Sequence, residues 1–293
     1  MDRIGKEKIF FFVSDLHGDI PRYRKLFSRI LDERPFAVFL GGDLLPSHLA
    51  RLTGAASSPG EFITNYLAPE FSKIREYLGP EYPTLFLILG NDDPRSAEDE
   101  IGRGASIGLW QYVHGRKSDV RGHDVYGYSY VPPTPFNLKD WERYDVSEFV
   151  DPGCIHPTEG WRTVPVPERE VKFSTIKKDL EILTGGKDLS GAIMLFHTPP
   201  YRTSLDRAAL DGKFFDHVPL DVHVGSIAIR EFIEERQPLV TLHGHVHESA
   251  GITGSWKENI GRTIMLSAAH DGPELALVRF ATGDPSRATR ELV

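Results

Sequence analysis

Along the first third of the chain, short uninterrupted apolar runs alternate with amphipathic stretches. Ile9–Val13 (IFFFV) has the length and unbroken apolarity of a strand covered on both faces. Pro21–Glu33 then sets Tyr23, Leu26, Phe27, Ile30 and Leu31 on one helical stripe, with Asp19 and Pro21 as start signals. Phe36–Leu40 predicts a second strand, Glu61–Leu78 a second helix and Thr84–Leu89 a third strand. Strands and helices in that order predict a partly parallel sheet with helices packed on it.

The middle of the chain reads differently. His123–Val131 alternates like a strand exposed on one face, and Val131 to Pro167 holds seven of the 21 prolines, which predicts an irregular loop elaboration at 131–167. Beyond it the pattern predicts a helix over Lys172–Leu183, a strand over Ala192–Phe196, a helix over Ile227–Arg236 and a strand over Leu239–Leu242. Thr263–Ser267 and Leu275–Phe280 predict two closing strands. No repeat, charge block or long linker divides the 293 residues, so 1–293 is expected to form a single domain.

Composition narrows the function classes. With 40% hydrophobic and 26% charged residues, the chain belongs among ordinary globular proteins rather than disordered or fibrous ones. A formal charge of −8 opposes binding to long nucleic acids or an anionic membrane surface. No apolar run reaches the ~18–20 residues of a membrane helix, and the N-terminus lacks the layout of a signal peptide. The single cysteine, Cys154, excludes an intrachain disulfide and points to a reducing compartment, by default the cytoplasm. Against that one cysteine stand 12 histidines, and their positions carry the chemistry.

Polar donors follow five of the predicted strands. Ser14-Asp15-Leu16-His17 comes after the first, Gly41-Gly42-Asp43 after the second and Gly90-Asn91-Asp92-Asp93 after the third. His197-Thr198-Pro199-Pro200 and His243-Gly244-His245-Val246-His247 follow two later strands. In open α/β sheets the crevice beyond the strand carboxyl ends is where sites form. Carboxylate, amide and imidazole donors suit Zn, Mn or Fe, and one cysteine cannot build a closed thiolate site. Asp15 with His17, and His245 with His247, stand two apart and can face one way from a strand end. Together with Asp43, Asn91 and His197 they exceed the roughly four ligands of one tetrahedral ion. Two divalent ions sharing a carboxylate is the economical reading, with Asp43 the natural bridge.

The series D-x-H, G-G-D, G-N, lone His and G-H-x-H, in this order from Asp15 to His247, resembles the calcineurin-like metallophosphoesterase superfamily. The tract from His197 through His223-Val224-Gly225-Ser226 to His247-Glu248-Ser249 is similar to predicted phosphoesterases related to the cyclic-nucleotide phosphodiesterase Icc. The resemblance implies an α/β fold of four layers, an α/β/β/α sandwich of two mixed sheets. It implies that Asp15, His17, Asp43 and His247 hold one ion, and Asp43, Asn91, His197 and His245 the second. The implied chemistry is hydrolysis of a small phosphorylated substrate, the two cations neutralising phosphate oxygens and activating a water.

One position departs from that pattern. Many members read G-N-H-D or G-N-H-E, and here Asp92 replaces the histidine. A carboxylate there repels a doubly charged monoester, so weak activity on monoesters is expected, with diesters or good leaving groups preferred, and a small cyclic or linear phosphodiester is the expected substrate. His223 is the first candidate for a replacement acid and His114 the second. Two other classes compete: a pyrophosphate hydrolase, since some relatives that cleave lipid-linked pyrophosphates also lack the motif histidine, and a metal-bound scaffold without activity. Other residues have plainer readings. His243 is expected to pack or hydrogen-bond behind the site, Asp19 to cap a helix and Thr184–Asp188 to form a turn. Gly54–Gly60 is expected to be a loop near the site's mouth, while His48, His123, His156, His217 and His270 have no motif context. Arg95, Arg103, Trp110, Tyr128, Tyr130, Trp141 and Arg202 fall in loops or strand ends that could line a pocket, most of them in structural roles.

Overall fold

Neighbouring side chains along each apolar run go to opposite sides of a sheet, and this alternation builds two cores. In a computed structural model that describes residues 9–47 and 57–293, fourteen strands form. The first seven are β1 Phe10–Val13, β2 Ala37–Gly41, β3 Thr84–Ile88, β4 Gln111–Tyr112, β5 Lys117–Val120, β6 His123–Tyr128 and β7 Ile193–Phe196. The rest are β8 Phe214–Phe215, β9 Val218–Pro219, β10 Val240–His243, β11 Lys257–Ile260, β12 Thr263–Ser267, β13 Ala276–Phe280 and β14 Thr289–Leu292. One six-stranded sheet runs β14-β13-β1-β2-β3-β4 and the other β11-β12-β10-β7-β6-β5, with β8 and β9 in a separate hairpin. In the first, β1 to β4 are parallel and β13 is antiparallel to both its neighbours, β1 and β14; in the second, β6, β7, β10 and β12 are parallel between antiparallel edges.

Phe10, Phe12, Phe39, Phe86 and Ile88 of one sheet share a buried cluster with Val125, Ile193, Leu195, Val240 and Leu242 of the other, which makes the layer between the sheets. The alternate residues Phe11, Val13, Val38, Leu40, Leu85 and Leu87 cluster with helix residues Leu26, Ile30, Phe71 and Ile74, while Met194 and Phe196 cluster with Ile229 and Ile233. The result is the α/β/β/α sandwich of two mixed sheets. The helices Ile20–Glu33 and Ile227–Arg236 begin where capping side chains sit, at Asp19 and Ser226.

Elements that the pattern does not reveal are mostly at the edges. β4, β11 and β14 are short, polar and only partly covered, so they carry no apolar run. The helix expected over Lys172–Leu183 is instead two, Glu168–Phe173 and Ile176–Thr184. The break is made by Thr175, which is extended, bridges Tyr144 and caps Lys178 through its hydroxyl at 3.2 Å. The helix expected over Glu61–Leu78 starts at Pro59 and passes through a π turn, Ile63–Leu67, just before Pro69, whose ring and missing N–H disfavour regular α geometry. His48 and residues 54–56 of the expected loop lie outside the described residues, and Ser58 caps the helix that follows.

In the proline-rich segment, Trp141 is fully buried and Lys139 and Glu142 form an ion pair with no solvent exposure. Asp140 ties this segment to the loop after β3 by accepting from the Arg95 amide at 2.7 Å and from the Thr163 amide at 2.8 Å.

Candidate metal centre

The parallel strands β1, β2 and β3 end on the same rim as β7 and β10 of the facing sheet. The two rims are pinned together: His197 Nδ1 lies 2.8 Å from the Gly41 carbonyl, and the His245 amide donates to Asp15 Oδ1 at 3.0 Å. Asp15, His17, Asp43 and His247 each present one ligand atom within 4.8 Å of the others. His17 Nε2 stands 3.2 Å from His247 Nε2, and His247 Nε2 3.3 Å from Asp15 Oδ1. On the other side of Asp43, His197 Nε2 is 3.3 Å from Asp43 Oδ2 and 3.0 Å from Asn91 Oδ1, with the His245 ring centred 5.2 Å from that of His197. All seven donors inferred from the sequence are therefore at one place, with Asp43 between the two groups.

The backbone explains how so many donors converge. Asp15, His17, Asp43 and His245 all adopt left-handed φ, at 57°, 47°, 51° and 73°, a conformation that costs about 1–3 kcal/mol each for residues with side chains. The preceding glycines supply clearance. A Cβ on Gly90 would stand 2.3 Å from Asp43 Oδ1 and 2.6 Å from His197 Cε1, and one on Gly42 would stand 2.6 Å from His197 Nδ1. Gly90→Ala is accordingly expected to push Asp43 and His197 apart, weakening Mn²⁺ binding at least about tenfold by calorimetry, with a stability loss of ~1–3 kcal/mol.

Buried charges set the protonation states. Burial alone would depress His197, but the Asp43 carboxylate overrides it and holds the imidazole up at about 9. His17 is likewise depressed by burial, and Asp92, Asp43 and Asp15 raise it to about 9. For Asp43, burial is outweighed by His197 and His17, which hold it down at about 2, and Asp15 falls below the usual carboxylate range against its own burial because of His247, His197 and His17. Burial next to His197 keeps His245 neutral, at about 3. The carboxylates are thus ionised, and the ring nitrogens of His17, His197 and His247 face them. His197 donates its Nδ1 hydrogen to the Gly41 carbonyl, so Nε2 is the nitrogen that would give up its proton to take a cation, the usual arrangement behind a metal-binding histidine. The donor types, their convergence and the anchored Nδ1 of His197 fit divalent cations.

Asp92 and its neighbour divide the work. Asp92 Oδ2 is 3.2 Å from His17 Nδ1, and the Asp92 amide donates to Asp43 Oδ1 at 2.8 Å. The carboxylate thus orients a donor histidine. Asp93, not singled out from the sequence, is fully buried and accepts from the amides of Leu44, Leu45 and Gly90 at 3.1, 2.8 and 2.9 Å. Burial and the Asp43 charge push it up to about 7. It staples the loop after β2 to the loop after β3; its place in the run Asn91-Asp92-Asp93 was the signal in the sequence. Arg22, also unnoticed, donates to the Asp15 carbonyl at 2.7 Å and to that of Gly272, so one guanidinium holds a strained donor residue.

The remaining histidines separate by environment. His243 stacks on Phe196 and bonds the Thr198 carbonyl and the Thr241 hydroxyl, behind the site. His223 Nδ1 bonds Asp206 at 2.7 Å. His114 accepts from the Ser129 amide at 3.0 Å and is ringed by Tyr112, Tyr128, Tyr130 and Trp141. Loss of hydration, then Arg95, Arg143 and Arg116, push it down to about 3, so at neutral pH it is the uncharged imidazole, with its hydrogen on Nε2. Because its folded value lies below the ordinary 6.5, the stability it confers is complete above about 6.5 and is lost as pH falls toward 3. Urea titrations from pH 7 to 4 should show His114→Phe losing less stability than the wild type over that range.

Residues 9–249 match the calcineurin-like phosphoesterase family. Over 83 residues the chain is 35% identical to the uncharacterized protein MJ1162 of Methanocaldococcus jannaschii, a stretch covering 28% of this chain and 32% of that relative. The chain thus spans about a third of the length of this curated relative. TT1561 of Thermus thermophilus has a similar structure at 16% identity, with a TM-score of 0.55 and coverage of 98% of this chain and 99% of that one. A dimetal phosphatase of Danio rerio is similar at 12% identity, with a TM-score of 0.51 and coverage of 94% and 93%. Those two likenesses concern the fold, whereas the family match spans the five donor loops: this chain is a member of the calcineurin-like phosphoesterase family.

Proposed function

We propose that the protein is a dinuclear metal-dependent phosphodiesterase acting on a small cyclic or linear, nucleotide-like phosphodiester. The observation that carries this reading is Asp43, nearly buried, with one donor group on each side of it and carboxylate contacts toward both. Asp15, His17, Asp43 and His247 would hold one ion, and Asp43, Asn91, His197 and His245 the other, as Mn, Fe or Zn. Two such cations supply charge neutralisation of the phosphate and activation of a water. That the Danio rerio relative is a dimetal phosphatase supports the paired reading.

The chain's own residues tune what binds. Asp92 places a carboxylate beside His17, where many members of the family carry a histidine, and repulsion there would favour a singly charged diester over a dianionic monoester. Asp92 also keeps the His17 ring turned with Nε2 toward the other donors. Metal analysis combined with hydrolysis of mono-, di- and pyrophosphate substrates tests the reading. Two ions per chain with diester turnover are expected; one ion or none, and no turnover with Mn²⁺ supplied, would overturn it. Asp92→His is expected to raise monoester hydrolysis relative to diester by about tenfold or more, on the scale of a positioned acid. An unchanged ratio sinks the role given to Asp92.

A further inference from the structure

Ten residues other than glycine adopt left-handed φ among those described. Four are the donors Asp15, His17, Asp43 and His245; Arg34 and Gln237 end helices; Arg121, Asp216 and His217 turn hairpins. Arg202, at φ 54°, has none of these roles. Its amide donates to Asp206 Oδ2 at 2.9 Å, and its carbonyl accepts from Arg230 Nη1 at 2.9 Å, so the strained backbone is held from both sides. Its guanidinium is exposed, 5.2 Å from the Tyr201 ring centre.

The same carboxylate orients a histidine. Asp206 has no solvent exposure and accepts four bonds: from the amides of Arg202, Thr203 and Gly225 at 2.9, 2.9 and 3.1 Å, and from His223 Nδ1 at 2.7 Å. A carboxylate only accepts, so Nδ1 carries the hydrogen and Nε2 is the nitrogen left to exchange a proton. The His223 side chain is 28% exposed, against zero for Asp206. Both sides of this cradle are attached to donor loops. The Ser226 amide donates to the carbonyl of Pro199, two residues past His197, at 2.9 Å, and the Ala209 amide donates to Glu248, next to His247, at 3.0 Å.

We infer that Asp206 presents His223 and Arg202 to the leaving-group side of a phosphodiester whose leaving group is an alcohol. This rests on the hydrolase reading above and deepens it. Arg202 neutralises a non-bridging phosphate oxygen. His223 supplies the proton that Asp92 is not placed to give. Water oxygen forms the new bond to phosphorus and its proton goes to solvent. The bond from phosphorus to the leaving oxygen breaks with its electron pair on that oxygen, which takes the Nε2 proton, and His223 regains a proton from solvent. His223 is then a catalytic residue and Asp206 a positioning residue. An alkoxide needs this proton, whereas a nitrophenolate leaves without it.

The test compares a nucleoside 3′,5′-cyclic phosphate with bis(p-nitrophenyl) phosphate on the Mn²⁺-loaded protein. His223→Gln is expected to lower kcat about 100-fold or more on the cyclic substrate and less than about 5-fold on the aryl one. Asp206→Asn should reproduce that split in kcat and also raise KM, because the same carboxylate holds Arg202, and Arg202→Lys should reverse part of the rise in KM seen in Arg202→Ala. The charged and titratable groups around His223 are Asp206, Asp221, Tyr201, Arg202 and Arg207, so the pH profile is compared with Asp221→Asn as a control. Independent of turnover, imidazole ¹⁵N spectra of the metal-free protein should show His223 with hydrogen on Nδ1, and lose that signature in Asp206→Asn. Equal losses on both substrates, no loss, a larger loss on the aryl ester or the other tautomer would each overturn the inference alone. If the wild type turns over neither substrate, the hydrolase reading falls and takes this one with it.

Discussion

Asp43→Ala should abolish hydrolysis, lowering kcat/KM by at least about a thousandfold, while the far-ultraviolet circular dichroism stays that of the wild type. The size follows from position. The Asp43 carboxylate faces ring nitrogens of both donor groups, 4.0 Å from His17 Nε2 and 3.3 Å from His197 Nε2, and its Oδ1 also receives the Asp92 amide. On the proposed function, removing it would take a ligand from each of the two ions, and it removes the counter-charge from two histidines. Metal content should fall below two ions per chain, and Asp43→Asn, which keeps the shape but not the charge, should recover little. Activity retained in Asp43→Ala would refute the bridging role.

The largest effect on stability is expected away from the centre, at Lys139 and Glu142. Both side chains have no solvent exposure, and Lys139 Nζ bonds Glu142 and the Thr134 carbonyl, while Glu142 also accepts from the Thr134 amide at 2.7 Å and its hydroxyl at 2.5 Å. Burial pushes Glu142 up to about 7 even with Lys139 and Thr134 opposing the rise. Glu142→Leu leaves a buried ammonium without its counter-charge and should cost ~3–5 kcal/mol in urea unfolding. The double variant Lys139→Met/Glu142→Leu should regain much of that loss, because no unpaired charge remains. A double variant as unstable as the single would show that the Thr134 bonds, not the ion pair, dominate.

The pair also shows why the proline-rich segment was hard to read. Between Val131 and Pro167 the spacing of apolar residues has no period, so nothing local reveals that Lys139, Asp140, Trp141 and Glu142 are all buried. Lysine and glutamate are ordinarily surface residues, and only their mutual contact makes burial tolerable. The division of Lys172–Leu183 into two helices is similar: apolar spacing continues across Ser174 and Thr175, and a bridge from Tyr144 forces the break.

For the candidate site, the division between sequence and tertiary structure follows the range of the interactions. Apolar runs bounded by glycine and polar residues determine the central strands, because burial on both faces demands unbroken hydrophobicity; those strands in turn determine which residues stand at their carboxyl ends. Order along the chain therefore made Asp15, His17, Asp43, Asn91, His197, His245 and His247 legible as a set. What only the tertiary structure decided is everything that depends on two sheets meeting: the rims joined by His197 and Gly41, and the left-handed turns that aim Asp15, His17, Asp43 and His245. The same holds for the bond from Asp92 to His17 and the cradle of Asp206 under His223. These contacts join residues as much as 156 positions apart, and a periodicity that decays within a few turns carries no information over that distance.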